Sequence, residues 1–291
     1  MRYKFIINGN AGNGQVKNHI ESILNVIKNN FSSFEYSVTE KLSDLDHCLN
    51  SLSNIDSVIA VGGDGTINGI VNKIIDKDIL FGIIPLGSGN DFIHALQIPH
   101  NLQKSIEIIK RNRIKTIDTG LIETEKYTKY FVNAVGIGFD AMVGFNTNRI
   151  KFIKGGSKYY IALIKSLFTY KPQRLHIKID SLEISKRPFL FTIGNGQRTG
   201  GAFILTPGAL LDDGLFEICI ADNVSIPTVI AALPKVLKGA HGSMKQIEFE
   251  KAKTVEINSD YDLFVHYDGE TPCLVKNINV SISKYKLNIL Q

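Results

Sequence analysis

The patterning of this chain predicts an α/β fold: a doubly wound α/β domain, followed by an antiparallel β-sandwich domain. Three observations carry that prediction. Short apolar runs alternate with helical periodicity over the first ~118 residues, as in a doubly wound sheet. From Ile117 onward short β-like runs dominate, punctuated by turn residues. And the apolar run Ser57–Val61 opens directly into Gly62-Gly63-Asp64-Gly65-Thr66, with a helix pattern behind it.

In order, Tyr3–Asn8 is the first strand, and Asn8-Gly9-Asn10-Ala11-Gly12-Asn13-Gly14 is the loop after it. Ile20, Ile23, Leu24 and Ile27 recur at helical spacing. Phe34–Val38 reads as a second strand, ending at Thr39. After Ser57–Val61 and its glycine turn, Ile67, Ile70, Val71, Ile74 and Ile75 mark a helix. Phe81–Pro85 is another buried-strand candidate, opening into Leu86-Gly87-Ser88-Gly89-Asn90-Asp91-Phe92, and Leu102, Ile106 and Ile109 mark a later helix. Beyond a boundary near Asp118 the β-like runs are Ile117–Ile122, Lys129–Ala134, Leu175–Ile179, Phe189–Asn195, Leu215–Ile220, Thr254–Ile257, Phe264–Tyr267 and Asn279–Ser283. Helical stretches near Lys158–Thr169 and Pro227–Leu237 interrupt them.

Chemistry concentrates at the glycine turns. A strand, a glycine-rich turn and a helix N-terminus let backbone N–H groups approach a phosphate closely. Gly62 and Gly65 lack a Cβ, so a polyphosphate can lie against the turn. Asp64 puts a carboxylate beside it, which calls for a Mg²⁺ ion between the charges or for a role in proton transfer. In an open α/β sheet ligands bind beyond the carboxyl ends of strands, so the two loops can line one crevice.

These phrases resemble those of the diacylglycerol kinase catalytic-domain family, the soluble bacterial lipid kinase group related to sphingosine and ceramide kinases. Three more phrases match: Gly136-Ile137-Gly138-Phe139-Asp140-Ala141; Asn195 through Gly200-Gly201 to Pro207, Ala209 and Asp213-Gly214; and Tyr267-Asp268-Gly269-Glu270. The five run in family order over nearly the whole chain. The resemblance implies domains of 1–118 with 284–291, for nucleotide, and 119–283, for lipid substrate and metal. It implies ATP contact through Asn8, Gly9, Asn10, Ala11, Gly12 and Thr39; through Gly62, Gly63, Asp64, Gly65, Thr66, Ile67, Asn68 and Gly69; and through Ser88, Gly89 and Asn90. Gly9 stands where the family has proline, which leaves that loop more flexible. It also implies a bound Mg²⁺ held by the Asp213 carboxylate and the Leu210 and Leu215 carbonyls, with Asp140 as a water-mediated partner and Asp212 as the runner-up ligand. Hard oxygen ligands and retained waters are what Mg²⁺ prefers.

Glu270 is the candidate general base, since a lipid hydroxyl must lose a proton as it attacks the γ-phosphorus. Asp64 competes for the role, because in similar sphingosine kinases the matching Asp is usually assigned it. His94, His176 and His266 lack metal-ligand spacing and read as structural.

Composition fits a globular enzyme of 291 residues, with 44% hydrophobic and 21% charged residues. Three widely spaced cysteines, Cys48, Cys219 and Cys273, argue against a disulfide framework or a zinc site and suit a reducing cytoplasm. The N-terminal apolar run is too short for a signal peptide, and no run approaches the ~20 residues needed to cross a bilayer. Between Asp140 and Asp180 lie eight basic residues and no acidic one: Arg149, Lys151, Lys154, Lys158, Lys165, Lys171, Arg174 and Lys178. The chain is +5, so the remainder is net negative. Phe152, Ile153, Tyr159, Tyr160, Leu163, Leu167, Phe168 and Tyr170 are mixed in. That combination suits transient docking of segment 149–178 on an anionic membrane surface, at the inner face of the membrane. A basic solvated face packed on the sandwich is the alternative. No nucleic-acid fold signature is present.

The expected function is ATP- and Mg²⁺-dependent phosphorylation of diacylglycerol to phosphatidic acid. The alternatives are a kinase for phosphatidylglycerol or a sphingoid base, an NAD kinase, and a non-catalytic nucleotide- or lipid-binding regulator. Family members are often dimeric, so a homodimer is an open expectation.

Overall fold

The fold is that of a computed structural model, which describes every residue except 51, 88, 151–156, 223, 271 and 272, and only the backbone at 148 and 157–160. Ser88 and Lys151, Phe152, Ile153 and Lys154 of the basic stretch therefore lie outside the described residues, as do the side chains of Lys158, Tyr159 and Tyr160. Contacts divide the chain into two compact units, Met1–Asp118 with Lys284–Gln291, and Thr119–Ser283.

The first unit is built on parallel strands Tyr3–Asn8, Phe34–Thr39, Ser57–Gly62 and Leu80–Pro85. Their spatial order is second, first, third, fourth. The end of the last strand, Cys273–Leu290, adds beside the fourth, with Ile289 opposite Phe81. Every residue of Ser57–Gly62 is buried, which is why it reads as a continuous apolar run rather than an alternating one. Helices Ile20–Asn30, Asp64–Ile74 and Leu102–Arg111 cover the sheet. Local chemistry sets the limits of Leu102–Arg111: the Asn101 side chain accepts from Lys104 N at 2.9 Å, and Asn112 ends it in the left-handed region at φ 51°. Phe5, Ile27, Phe31, Ile59 and Ile106 lie in one core cluster of this unit.

The second unit is an antiparallel, sandwich-like β domain. Its main path runs Ile247–Ala252, Phe216–Asp222, Pro188–Gly194, Ala134–Gly138, Thr254–Tyr267, then the first part of Cys273–Leu290. A hairpin, Leu175–Ile179 with Leu182–Lys186, pairs with residues 255–258. Phe131 stacks on Phe216 at 5.5 Å within a core that includes Ile137, Phe191, Ile218, Val255 and Val280. Helices Phe139–Arg149 and Ser157–Thr169 build a smaller cluster with Phe189.

Strands Leu182–Lys186 and Ile247–Ala252 were not read from the sequence, and three further differences each have a physical reason. Thr254–Ile257 and Phe264–Tyr267 are one strand, because the polar run Asn258–Asp262 is absorbed as a register shift between Asn258 and Leu263. Lys129–Ala134 divides into Thr128–Phe131 and Ala134–Gly138. There the backbone N–H groups of Val132 and Asn133 donate to the Asp268 carboxylate, both at 2.8 Å, instead of to a strand. Helix Phe139–Arg149 escaped the reading because its glycine-rich lead-in looks like a turn; Gly138 indeed has φ 94°.

Candidate active site

In the first unit the strand order reverses about Tyr3–Asn8, which is flanked by Phe34–Thr39 on one side and Ser57–Gly62 on the other. That reversal is where an open α/β sheet leaves a crevice at its carboxyl edge. The predicted loops meet there. Asn8 Nδ2 donates to Thr66 Oγ1 at 2.8 Å, joining the first strand to the glycine turn. Gly9 N donates to Thr39 O at 2.9 Å, and Asn10 N to Asn8 Oδ1 at 2.9 Å. Ala11 is buried, and Gly12 takes φ 61°, where a Cβ would meet Leu86 O at 3.0 Å.

Two glycine loops then pass close together. Leu86 N donates to Gly62 O at 2.9 Å, and a Cβ at Gly63 would lie 3.0 Å from Gly87 Cα. Asn90 is fully buried in the left-handed conformation, φ 54°, and its Nδ2 donates to Gly87 O at 2.7 Å. Asp64 ties the loops: its carboxylate accepts from Asp91 N at 3.1 Å and Phe92 N at 3.4 Å. Gly89 approaches the same carboxylate; a Cβ there would lie 3.1 Å from Asp64 Oδ2. Gly65 and Thr66 open helix Asp64–Ile74, whose first N–H groups are the natural phosphate donors. Ile67 and Asn68 are buried, and a Cβ at Gly69 would meet Leu45 at 2.7 Å. These three positions therefore face protein.

In the second unit Asp140 is the charged end of a buried polar set. Its Oδ2 lies 3.5 Å from His266 Nε2 and accepts from Thr192 Oγ1 at 3.3 Å, while Oδ1 accepts from Ala141 N at 2.8 Å. Gly136 makes room, since a Cβ there would sit inside both Asp140 and His266. Burial, and then the Asp140 charge, push the Tyr170 hydroxyl well above the usual tyrosine range.

Asp213 lies apart from that set in its contacts. Its Oδ1 accepts from Leu215 N at 3.1 Å, and its Oδ2 pairs with Lys251 Nζ at 3.1 Å. Lys251 stands opposite Glu217 across paired strands. The Glu217 carboxylate accepts from Gly208 N at 2.7 Å, and burial raises its proton affinity. Asp213 and the neighbouring Leu210 and Leu215 carbonyls are hard oxygen donors, and the ammonium of Lys251 on Asp213 shows that this carboxylate draws a cation. The residues present thus fit Mg²⁺. Leu210 is exposed, so its carbonyl lies on an open loop.

Glu270 follows a tight turn. Asp268 and Gly269 both have positive φ, 46° and 75°, and Glu270 N donates to Tyr267 O at 2.8 Å. The buried Asp268 carboxylate fixes that turn by accepting from Val132 N and Asn133 N at 2.8 Å and Ala134 N at 3.1 Å. Burial first, and the Asp268 charge second, raise the proton affinity of Glu270, with Lys129 opposing. Asp268 was visible only as one letter of a phrase; its three amide partners lie over 130 residues away.

The second unit also forms a partly open apolar cavity of about 100 Å³, lined among others by Phe139, Val143, Leu163, Phe189, Phe203, Leu205, Cys219, Val229, Leu233 and Met244. Asp140 and His241 are its ionisable lining side chains besides Cys219. Burial lowers the proton affinity of His241 and pushes the Cys219 thiol up to about 12, so both are neutral near pH 7. No periodicity announced this cavity, because its walls come from separate strands and helices.

Comparisons with known proteins agree with this architecture. Residues 2–122 match the diacylglycerol kinase catalytic domain model, and residues 133–289 match the YegS C-terminal NAD kinase beta sandwich-like domain model. A diacylglycerol kinase of Staphylococcus aureus (strain MRSA252) is 30% identical over 275 residues, covering 92% of this chain and 86% of its own. One from Mycobacterium tuberculosis is 31% identical over 221 residues, covering 75% and 71%. A crystal structure of a diacylglycerol kinase from Bacillus anthracis superposes with a TM-score of 0.74 at 21% identity, covering 99% of this chain and 96% of that one.

Proposed function

We propose that this chain, which belongs to the diacylglycerol kinase catalytic-domain family and is a lipid kinase, transfers the γ-phosphate of ATP to the hydroxyl of diacylglycerol, giving phosphatidic acid. The observation that carries the choice of a lipid acceptor is the apolar cavity of the second unit, which offers acyl chains a dry wall and a polar nucleotide almost nothing to bond. The nucleotide is assigned to the glycine loops of the first unit. Gly62, Gly63 and the start of helix Asp64–Ile74 present N–H groups to its phosphates, and Asp64 holds the 86–92 loop against them.

Glu270 takes the proton of the attacking hydroxyl. Its raised proton affinity suits that role, since a base works best with a pKa near the operating pH. Asp64 suits it less, because backbone N–H groups engage both of its oxygens. Asp213, with the Leu210 and Leu215 carbonyls, would hold Mg²⁺, and Asp140 would reach it through water. When bound, that ion supplies positive charge that organises the 210–217 loop.

The decisive assay is transfer of labelled phosphate from ATP with Mg²⁺, using micelles of diacylglycerol, phosphatidylglycerol or sphingosine, with NAD in parallel. Labelled phosphatidic acid is the expected product. Labelled product from another lipid alone would change the acceptor, and labelled NADP would overturn the lipid reading.

No helix among the described residues is long and apolar enough to cross a membrane, so the lipid is met at a surface. We assign the contact to segment 149–178, in which Lys165, Lys171 and Arg174 are exposed. Each basic residue near an anionic surface contributes about 1 kcal/mol. Lys165→Ala with Lys171→Ala should therefore weaken sedimentation with phosphatidylglycerol vesicles by about 30-fold at low salt. Unchanged partitioning would remove the segment from the interface.

A further inference from the structure

The helix Ile226–Val236 is apolar almost throughout, yet none of its residues is buried. One face, formed by Thr228, Val229, Ala232, Leu233 and Val236, lines the apolar cavity. Ile230, on the other face, is 55% exposed, and Leu237, just past the helix end, is 47% exposed. Ala231 and Pro234 are exposed between them. A helix at a water boundary normally shows a polar outer face, and one that is apolar on all sides is covered on all sides. This helix has the inner cover and lacks the outer one. It is formed without help from a partner, since Ser225 caps it by accepting from Thr228 N.

The chain that carries this helix is basic. Between Asp222 and Glu248 the chain carries Lys235, Lys238 and Lys245 and no acidic residue. Helix Ser157–Thr169 repeats the arrangement: Leu163 lines the same cavity, while Ile161, Ile164 and Phe168 are exposed. A second copy of this chain would bring lysine against lysine at such a surface. An anionic bilayer offers apolar depth for the isoleucine and leucine, and phosphate for the lysines.

We propose that helix Ile226–Val236 seats its outer face, with Ile230 and Leu237, in an anionic bilayer, so that the cavity behind it opens to the acyl phase rather than to water. The proposal rests on the lipid-kinase reading for its meaning, but its test does not use phosphate transfer. The chain contains no tryptophan, so Ile230→Trp places a unique reporter on the helix. Phosphatidylglycerol vesicles without ATP should shift its emission to the blue, and vesicles with brominated acyl chains should quench it at least twofold. Ile230→Glu should weaken vesicle binding at least tenfold, while Leu182→Glu, at a 50% exposed position on the Leu182–Lys186 hairpin, should weaken it less than twofold.

Unshifted, unquenched emission in the presence of vesicles would overturn the proposal. So would a shift that grows with protein concentration when no vesicles are present, because it would mark self-association. Insertion by a protein that phosphorylates no lipid would uphold the surface and remove the kinase reading. Phosphorylation without insertion would do the reverse.

Discussion

Glu270→Gln is expected to lower phosphate transfer to lipid by about 10³-fold and to raise the melting temperature of the same protein. The first effect is the loss of a positioned general base. The second follows from where that base sits. Burial and the neighbouring Asp268 charge hold the folded-state pKa of Glu270 above its unfolded value. The folded protein therefore binds that proton more tightly than the unfolded chain does. Below the unfolded pKa both states are protonated and the carboxyl costs nothing. As the pH rises through the folded pKa, ionising the half-buried group destabilises the fold. Glutamine has no charge to bury, so the stability gap between variant and wild type should be absent near pH 4 and open toward pH 8. Calorimetric melting at both pH values checks this. The acid limb of the wild-type kcat/KM profile should lie above the ordinary carboxylate range. Activity within tenfold of wild type in the Gln variant would move the role to Asp64.

Gly87→Ala should cost the first unit its nucleotide site. A Cβ at Gly87 would fall inside the contact radius of Gly63 Cα, 3.0 Å from Gly63 N and 2.6 Å from Asn90 Oδ1. Two of those three neighbours are backbone atoms and cannot rotate away. The loops must separate, which breaks the alignment of the Gly62–Thr66 amides with the Asp91 and Phe92 amides that Asp64 holds. Overpacking of this kind costs about 1–3 kcal/mol. ATP affinity should fall at least tenfold, read by calorimetric titration. Gly14→Ala is the comparison: Gly14 has φ 83° but nothing within 4 Å of a Cβ, so only conformational strain of about 1 kcal/mol is added. Equal ATP affinity in the two variants would show that the approach of Gly63 to Gly87 is not what shapes the site.

Much of the architecture was legible because its signals are local. The buried parallel strand Ser57–Gly62, its glycine turn and helix Asp64–Ile74 are contiguous, and periodicity reports contiguous structure directly. Helix Ser157–Thr169 was legible for the same reason. The 18-residue strand Cys273–Leu290 was read only over Asn279–Ser283, although its polar–apolar alternation continues through Lys284-Tyr285-Lys286-Leu287-Asn288-Ile289. Helix Phe139–Arg149 was missed because Gly136 and Gly138, needed to fit Asp140, His266 and Tyr170, look like turn residues when read alone.

What the sequence by itself determined is therefore the order of strands, turns and helices, the change of character near residue 118, and the chemical type of each loop. Those properties depend on neighbours within a turn or a strand. What only the tertiary structure decided is which groups meet. Asp64 holds amides 27 and 28 residues further along the chain, Asp268 holds amides 134 to 136 residues before it, and the cavity draws its wall from helices and strands between Phe139 and Ile247. Such meetings are set by which strands pair and by packing across the core, and residue preferences within one turn or strand do not name the distant partner.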